Sequence, residues 1–90
     1  MALFNTNIGG AGGSLSVIEA RLVSPNEVVT ISNQQGAVVV LNGGVYPTEI
    51  SDLTVIQDTT GVVTQRIYSV DSNNASFKAV NVTLAYSLIK

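Results

Sequence analysis

Cysteine, histidine and tryptophan are all absent from this chain. Without cysteine there is no disulfide framework and no thiolate metal site. Without histidine, the side chain that most often moves protons near neutral pH is also missing. Charge is scarce too. Only 11% of residues are Asp, Glu, Lys or Arg, against about 25% in an ordinary soluble domain. The four basic residues, Arg21, Arg66, Lys78 and Lys90, are scattered and the formal net charge is −2. The chain therefore carries no electrostatic footprint for nucleic acid. Its longest strongly apolar run, Ala37–Leu41, falls far short of the ~20 residues a membrane-spanning helix needs, and no membrane partner is expected. No basic segment followed by an apolar one opens the chain, so no secretory signal is expected.

The carboxylates that remain are Glu19, Glu27, Glu49, Asp52, Asp58 and Asp71. Glu49 and Asp52 lie close together in TEISDL, but catalysis by a carboxylate pair requires them to face each other across a cleft. Two solvated loop charges beside Pro47 are the simpler expectation. Asp52, Asp58 and Asp71 lack the D-x-D-x-D-G spacing of a calcium loop. The glycines at 10 and 12 begin a G-x-G-x-x-G, yet position 15 is Leu, no strand precedes them and no Gly-Lys-Ser/Thr follows. No catalytic, cofactor or metal site is expected. The triplets Asn74-Ala75-Ser76 and Asn81-Val82-Thr83 are at the frequency that chance gives in a chain with eight Asn and 17 Ser plus Thr. For stacking against a sugar, Tyr46 and Tyr68 are the candidate exposed aromatics, while Tyr86 reads as core.

What is present is β chemistry. Val, Ile and Thr make 29 of the 90 residues, and branched side chains suit a pleated sheet better than a helix. Val80, Val82, Leu84, Tyr86 and Leu88 alternate with polar or small residues, which predicts a long final strand over 79–90. Residues 15–24 fit two readings. A strand places Ile18, Ala20 and Leu22 on one face and Glu19 and Arg21 on the other. A helix groups Leu15, Ile18 and Leu22 behind a Ser14 cap. The strand-like residues that follow favour the strand. SPNE (24–27) suits a type I turn, EVVTIS a strand, and NQQG a return into AVVVL, whose apolar residues on both faces predict a central strand. Asn42-Gly43 is a hairpin signal, Pro47 demotes VYPTEI to an edge or a loop, and DTTG joins a second hairpin. DSNNAS (71–76) reads as a polar turn. The expectation is an all-β domain over 15–90: a small antiparallel β-sandwich or flattened barrel of six to eight short strands.

Ahead of it, residues 1–14 read as an arm. Gly9, Gly10, Gly12 and Gly13 make a hinge, and Leu3, Phe4 and Ile8 are its apolar anchors. Each anchor gains ~1.5–3 kcal/mol if fully buried, whereas ordering the arm costs ~1–2 kcal/mol per residue. Pairing with a neighbour's sheet edge supplies the missing stabilisation. Twenty-eight Val, Ile and Leu exceed what a thin two-layer core needs. Some of them, such as Val38–Leu41 or Val62-Val63, are expected to face outward as an interaction patch.

The opening Met-Ala-Leu-Phe-Asn, the Gly-rich arm and the charge-poor Val/Thr/Asn-rich body resemble the small structural proteins of bacteriophage particles. Capsid decoration (cement) proteins and minor tail or neck proteins are the types in view. The resemblance implies a non-enzymatic homo-oligomer, a trimer among the options. It also implies residence in the virion, and contact with the major capsid protein or another virion protein through extended termini. A receptor- or glycan-binding tip using NGGVYPTE and DSNNAS, or a bacterial filament or surface subunit, are the other expectations. Deleting residues 1–13 is expected to leave the β circular-dichroism signal intact and weaken attachment to a partner particle; a truncated body that unfolds shows the arm to be part of its own core.

Overall fold

The computed structural model describes residues 15–43, 49–59 and 65–90. Eight strands form two antiparallel sheets: β1 (Val17–Val23), β2 (Val28–Ser32), β3 (Val38–Asn42), β4 (Glu49–Ser51), β5 (Leu53–Thr59), β6 (Gln65–Val70), β7 (Asn74–Lys78) and β8 (Leu84–Ile89). The larger sheet has the order β1-β8-β3-β6-β5 and the smaller β2-β7-β4. Residues 15–24 are thus strand, not helix. The apolar run of β3 is the middle strand of five, as expected for a segment apolar on both faces.

Among the described strands, six of the seven successive pairs lie in different sheets, and only β5 and β6 pair with each other as sequence neighbours. This overturns one local reading: Asn42-Gly43 does not close a hairpin, because β4 lies in the sheet opposite β3. NQQG returns the chain into β3 by crossing between the sheets. NQQG still forms a tight turn. Ala37 N–H donates to the Gln34 carbonyl at 3.0 Å, with Gly36 at φ 90°. Gly43 is required by close approach, since a Cβ there would lie 2.6 Å from Leu84 Cδ2.

The turn at Ser24–Glu27 also differs from expectation. Glu27 N–H donates to the Ser24 carbonyl at 3.1 Å, but Asn26 sits at φ 65°. A positive φ at the third position, after proline, is the type II pattern and not type I. The final strand is shorter than its alternation suggests. Residues 79–83 are a turn with Asn81 at φ 59°, and β8 begins only at Leu84. Half of the expected polar turn DSNNAS is strand, because β7 starts at Asn74 and pairs with both β2 and β4.

The inner faces meet in one core. It includes Val23, Val39, Leu41, Tyr68, Leu84, Tyr86 and Leu88 from the large sheet, and Val29, Ile31, Ala75 and Phe77 from the small one. The Phe77 and Tyr86 rings bridge the sheets with centroids 5.4 Å apart at 59°, a tilt that aromatic quadrupoles favour. Tyr68 is 1% exposed, so it is core and not the exposed aromatic that the sequence suggested. Val40, Ile67 and Ile89 alternate with core residues and form a second buried cluster on the other face of the large sheet. Val38–Leu41 therefore provide no outward patch: Val38 is half-buried and the other three are buried.

Replacing Phe77 by Ala removes the ring that spans the two sheets. The expected loss is ~3–5 kcal/mol, a large share of the stability of a small domain, read as a lower urea midpoint. A loss below about 1 kcal/mol would show that the small sheet is not anchored there.

Candidate assembly surface

The small sheet is two strands narrower than the large one, so the outer strands of the large sheet lack cover along much of their length. β1 shows this most clearly. Its first six residues are exposed and only Val23 is buried. β8 pairs with one edge of β1, and no described strand pairs with the other. Along it lie Val17 at 61% exposure, Ile18 at 45% and Leu22 at 69%, with Leu15 just before them. Water disfavours such a row of branched side chains, and an uncovered strand edge is a template for another chain. At the opposite edge, β5 exposes Val55 and Ile56 around a bulge.

On the inner face of β1 the exposed residues are charged. Arg21 Nε lies 3.1 Å from Glu19 Oε2, and Arg21 Nη2 lies 2.9 Å from Glu27 Oε2. The guanidinium sits 5.9 Å from the centre of the Tyr86 ring, within cation–π range. Glu27 also accepts the Ser24 backbone N–H at 3.0 Å, closing the Pro25 turn. The hydrogen bond from Arg21, reinforced by that from Ser24, holds the Glu27 carboxyl below its ordinary value. Arg21 is pushed up in turn, by Glu27 first and Glu19 second. Burial raises the Tyr86 hydroxyl well above the usual phenol range, and the Glu19 charge adds to it.

The other carboxylates serve the corners of the fold. Asp52, at φ 58°, turns the chain from β4 into β5 and accepts the Ser72 hydroxyl at 2.7 Å. Asp71 accepts the hydroxyls of Thr54 and Ser69, which hold its carboxyl below the ordinary value, Thr54 most strongly. Glu49 faces Lys78 across the β4–β7 pair. Asp58 pairs with Arg66 at 3.0 Å. Among the described residues no group of three or more His, Cys, Asp or Glu could hold a metal ion. A shallow hollow of about 260 Å³ lies over the small sheet, lined in part by Val28, Ile50, Phe77 and Lys78. Glu49, Ser51 and Ser76 complete its lining.

The expected arm residues Leu3, Phe4, Ile8, Gly9, Gly10, Gly12 and Gly13 lie outside the described residues, as do Tyr46, Pro47, Val62 and Val63. The described chain begins beside the large sheet's edge, where Ser16 and Lys90 exchange backbone hydrogen bonds at 3.1 and 3.0 Å. Of the two outward stretches expected, Val38–Leu41 is buried or half-buried, and Val62-Val63 lies outside the described residues. Ile18 and Leu22 were visible as one face of residues 15–24, but nothing local marks that strand as an edge. Comparison with protein-family models, curated proteins and solved structures finds no match.

The lowered Glu27 value fixes a sign. Its stabilising contribution is complete above the ordinary glutamate value of 4.5 and is lost as the pH falls through the lower folded-state value. The stability difference between wild type and Glu27→Gln is therefore expected to be largest at neutral pH and to shrink by about pH 2. Urea denaturation at both pH values checks this; a difference independent of pH would refute it.

Proposed function

We propose that this protein is a non-enzymatic structural subunit whose uncovered sheet edges mate with neighbouring chains. One observation carries the reading: Val17, Ile18 and Leu22 stand exposed along a strand whose far edge no described strand covers. The composition supports it. A surface built from 29 Ser, Thr, Asn and Gln and only ten ionised side chains loses less on desolvation than a charged one. The likeness in style to phage structural proteins supplies the setting, a virion component of the decoration or minor tail type that contacts copies of itself and a capsid or other virion protein. Burial of Tyr68 removes one of two aromatics on which the rival glycan-binding reading relied.

At micromolar concentration the protein is expected to exceed the monomer mass by light scattering. Ile18→Lys/Leu22→Lys is expected to weaken association at least tenfold, with circular dichroism unchanged. A monomeric wild type whose binding to its partner particle is equally indifferent to that substitution overturns the proposal.

A further inference from the structure

The sequence of β1, Val-Ile-Glu-Ala-Arg-Leu-Val, reads almost the same in both directions about Ala20. An antiparallel pair of identical strands is related by a two-fold axis, and centring that axis on Ala20 makes positions 19 and 21 face each other. Glu19 then meets Arg21 of a second copy and Ile18 meets Leu22; beyond them the bulge sets Val17 on the face opposite the buried Val23, so the pairing ends at positions 18 and 22. Both oppositions are favourable. Opposite charges and branched aliphatics directly across an antiparallel pair each stabilise it, whereas like charges there repel.

Shifting the register lengthwise by two residues brings Arg21 opposite its own copy or Glu19 opposite its own, which penalises both slips. Charge on an edge strand is a usual defence against pairing. Here it is arranged so that it selects one partner.

We infer that β1 pairs with β1 of a second copy, antiparallel and centred on Ala20, joining two five-stranded sheets into one of ten strands. This rests on the assembly reading and names its partner and register. Such an interface is isologous, the same patch on both subunits, so it yields dimers or even-numbered assemblies. It is built from residues already exposed, Ile18, Glu19 and Leu22 among them. Arg21 already contacts Glu19 and Glu27 of its own chain, and Glu19 of the second copy approaches from the free edge. The bulge between Val17 and Glu19 falls at the two outer ends of the pairing and leaves its centre regular.

The absence of cysteine gives a clean test. In this register the two copies of residue 20 have Cα atoms ~4.5–5.5 Å apart, inside the ~4.4–6.8 Å range of a disulfide. Ala20→Cys is expected to cross-link to a dimer on mild oxidation. Leu22→Cys, whose two copies lie about 13 Å apart, is not. The second arm uses charge. Glu19→Arg alone places Arg opposite Arg, and Arg21→Glu alone places Glu opposite Glu, so each is expected to dimerise at least tenfold more weakly than wild type. An equimolar mixture of the two faces opposite charges at every position and is expected to recover a mixed dimer by native mass spectrometry, with circular dichroism confirming that both variants are folded. Equal cross-linking at positions 20 and 22, or a mixture no better associated than its components, overturns the pairing. If the protein still assembles and loses mass with Ile18→Lys/Leu22→Lys, the register is wrong and the broader assembly reading stands. If the wild type neither self-associates nor binds a partner particle, both fall.

Discussion

Three strands cannot cover five. Neighbouring strands lie ~4.8 Å apart, so the three-stranded sheet is about two strand widths narrower than the five-stranded one, and β1 and β5 are exposed over most of their length. Where the two sheets overlap, alternate residues of β3, β6 and β8 are buried against β2 and β7, and Phe77 meets Tyr86. Where they do not, Glu19 and Arg21 on the inner face of β1 and Val55 on that of β5 stay in water, while Ile18 and Leu22 of β1 lie on the large sheet's outer face. A monomer would need charge or a covering element to tolerate this. The chain supplies few charges, and those on β1 engage one another across the strand's inner face.

The exposed apolar surface of β1 follows one strand at the sheet's edge, so it takes the form of a row and not a broad patch. Each outer strand still buries the residues at the end nearest the overlap, Val23 on β1 and Leu53 on β5. The polar corners complement this arrangement. Asp52 and Asp71 spend their hydrogen-bonding capacity on Ser72, Thr54 and Ser69, fastening the β4–β5 corner to the β6–β7 turn. Their carboxylates are committed to holding backbone direction.

Much of the fold is legible in the sequence, because period-2 alternation is a local signal. β1, β2, β3 and β5 can be read within a few residues, and the core face of β8 follows from Leu84, Tyr86 and Leu88. Connectivity is less legible. Asn42-Gly43 carries the chemistry of a hairpin, yet whether the next strand pairs with the last or crosses to the other sheet depends on residues far away. The run Val80–Leu84 alternates well but bends at Asn81, where an asparagine tolerates the left-handed region. The candidate surface was half visible for the same reason. The faces of residues 17–23 can be read from the sequence, but being an edge is a property of the whole sheet, so the outward patch was expected at Val38–Leu41 or Val62-Val63 and not at Ile18 and Leu22.

The crossings from β1 to β2 and from β7 to β8 lie side by side and are clasped by two asparagines in left-handed conformation. Asn26 Nδ2 donates to Asn81 Oδ1 at 3.2 Å, and Asn81 N–H donates back to Asn26 Oδ1 at 3.1 Å. Neutral amides neither titrate nor attract counterions. Ionic strength therefore acts on the edge, where Glu19, Arg21 and Glu27 are screened within ~8–10 Å, and leaves this clasp alone. Were two copies to pair through β1 as proposed, salinity would weaken that contact and the Arg21–Glu27 pair beside it and leave the asparagine clasp untouched.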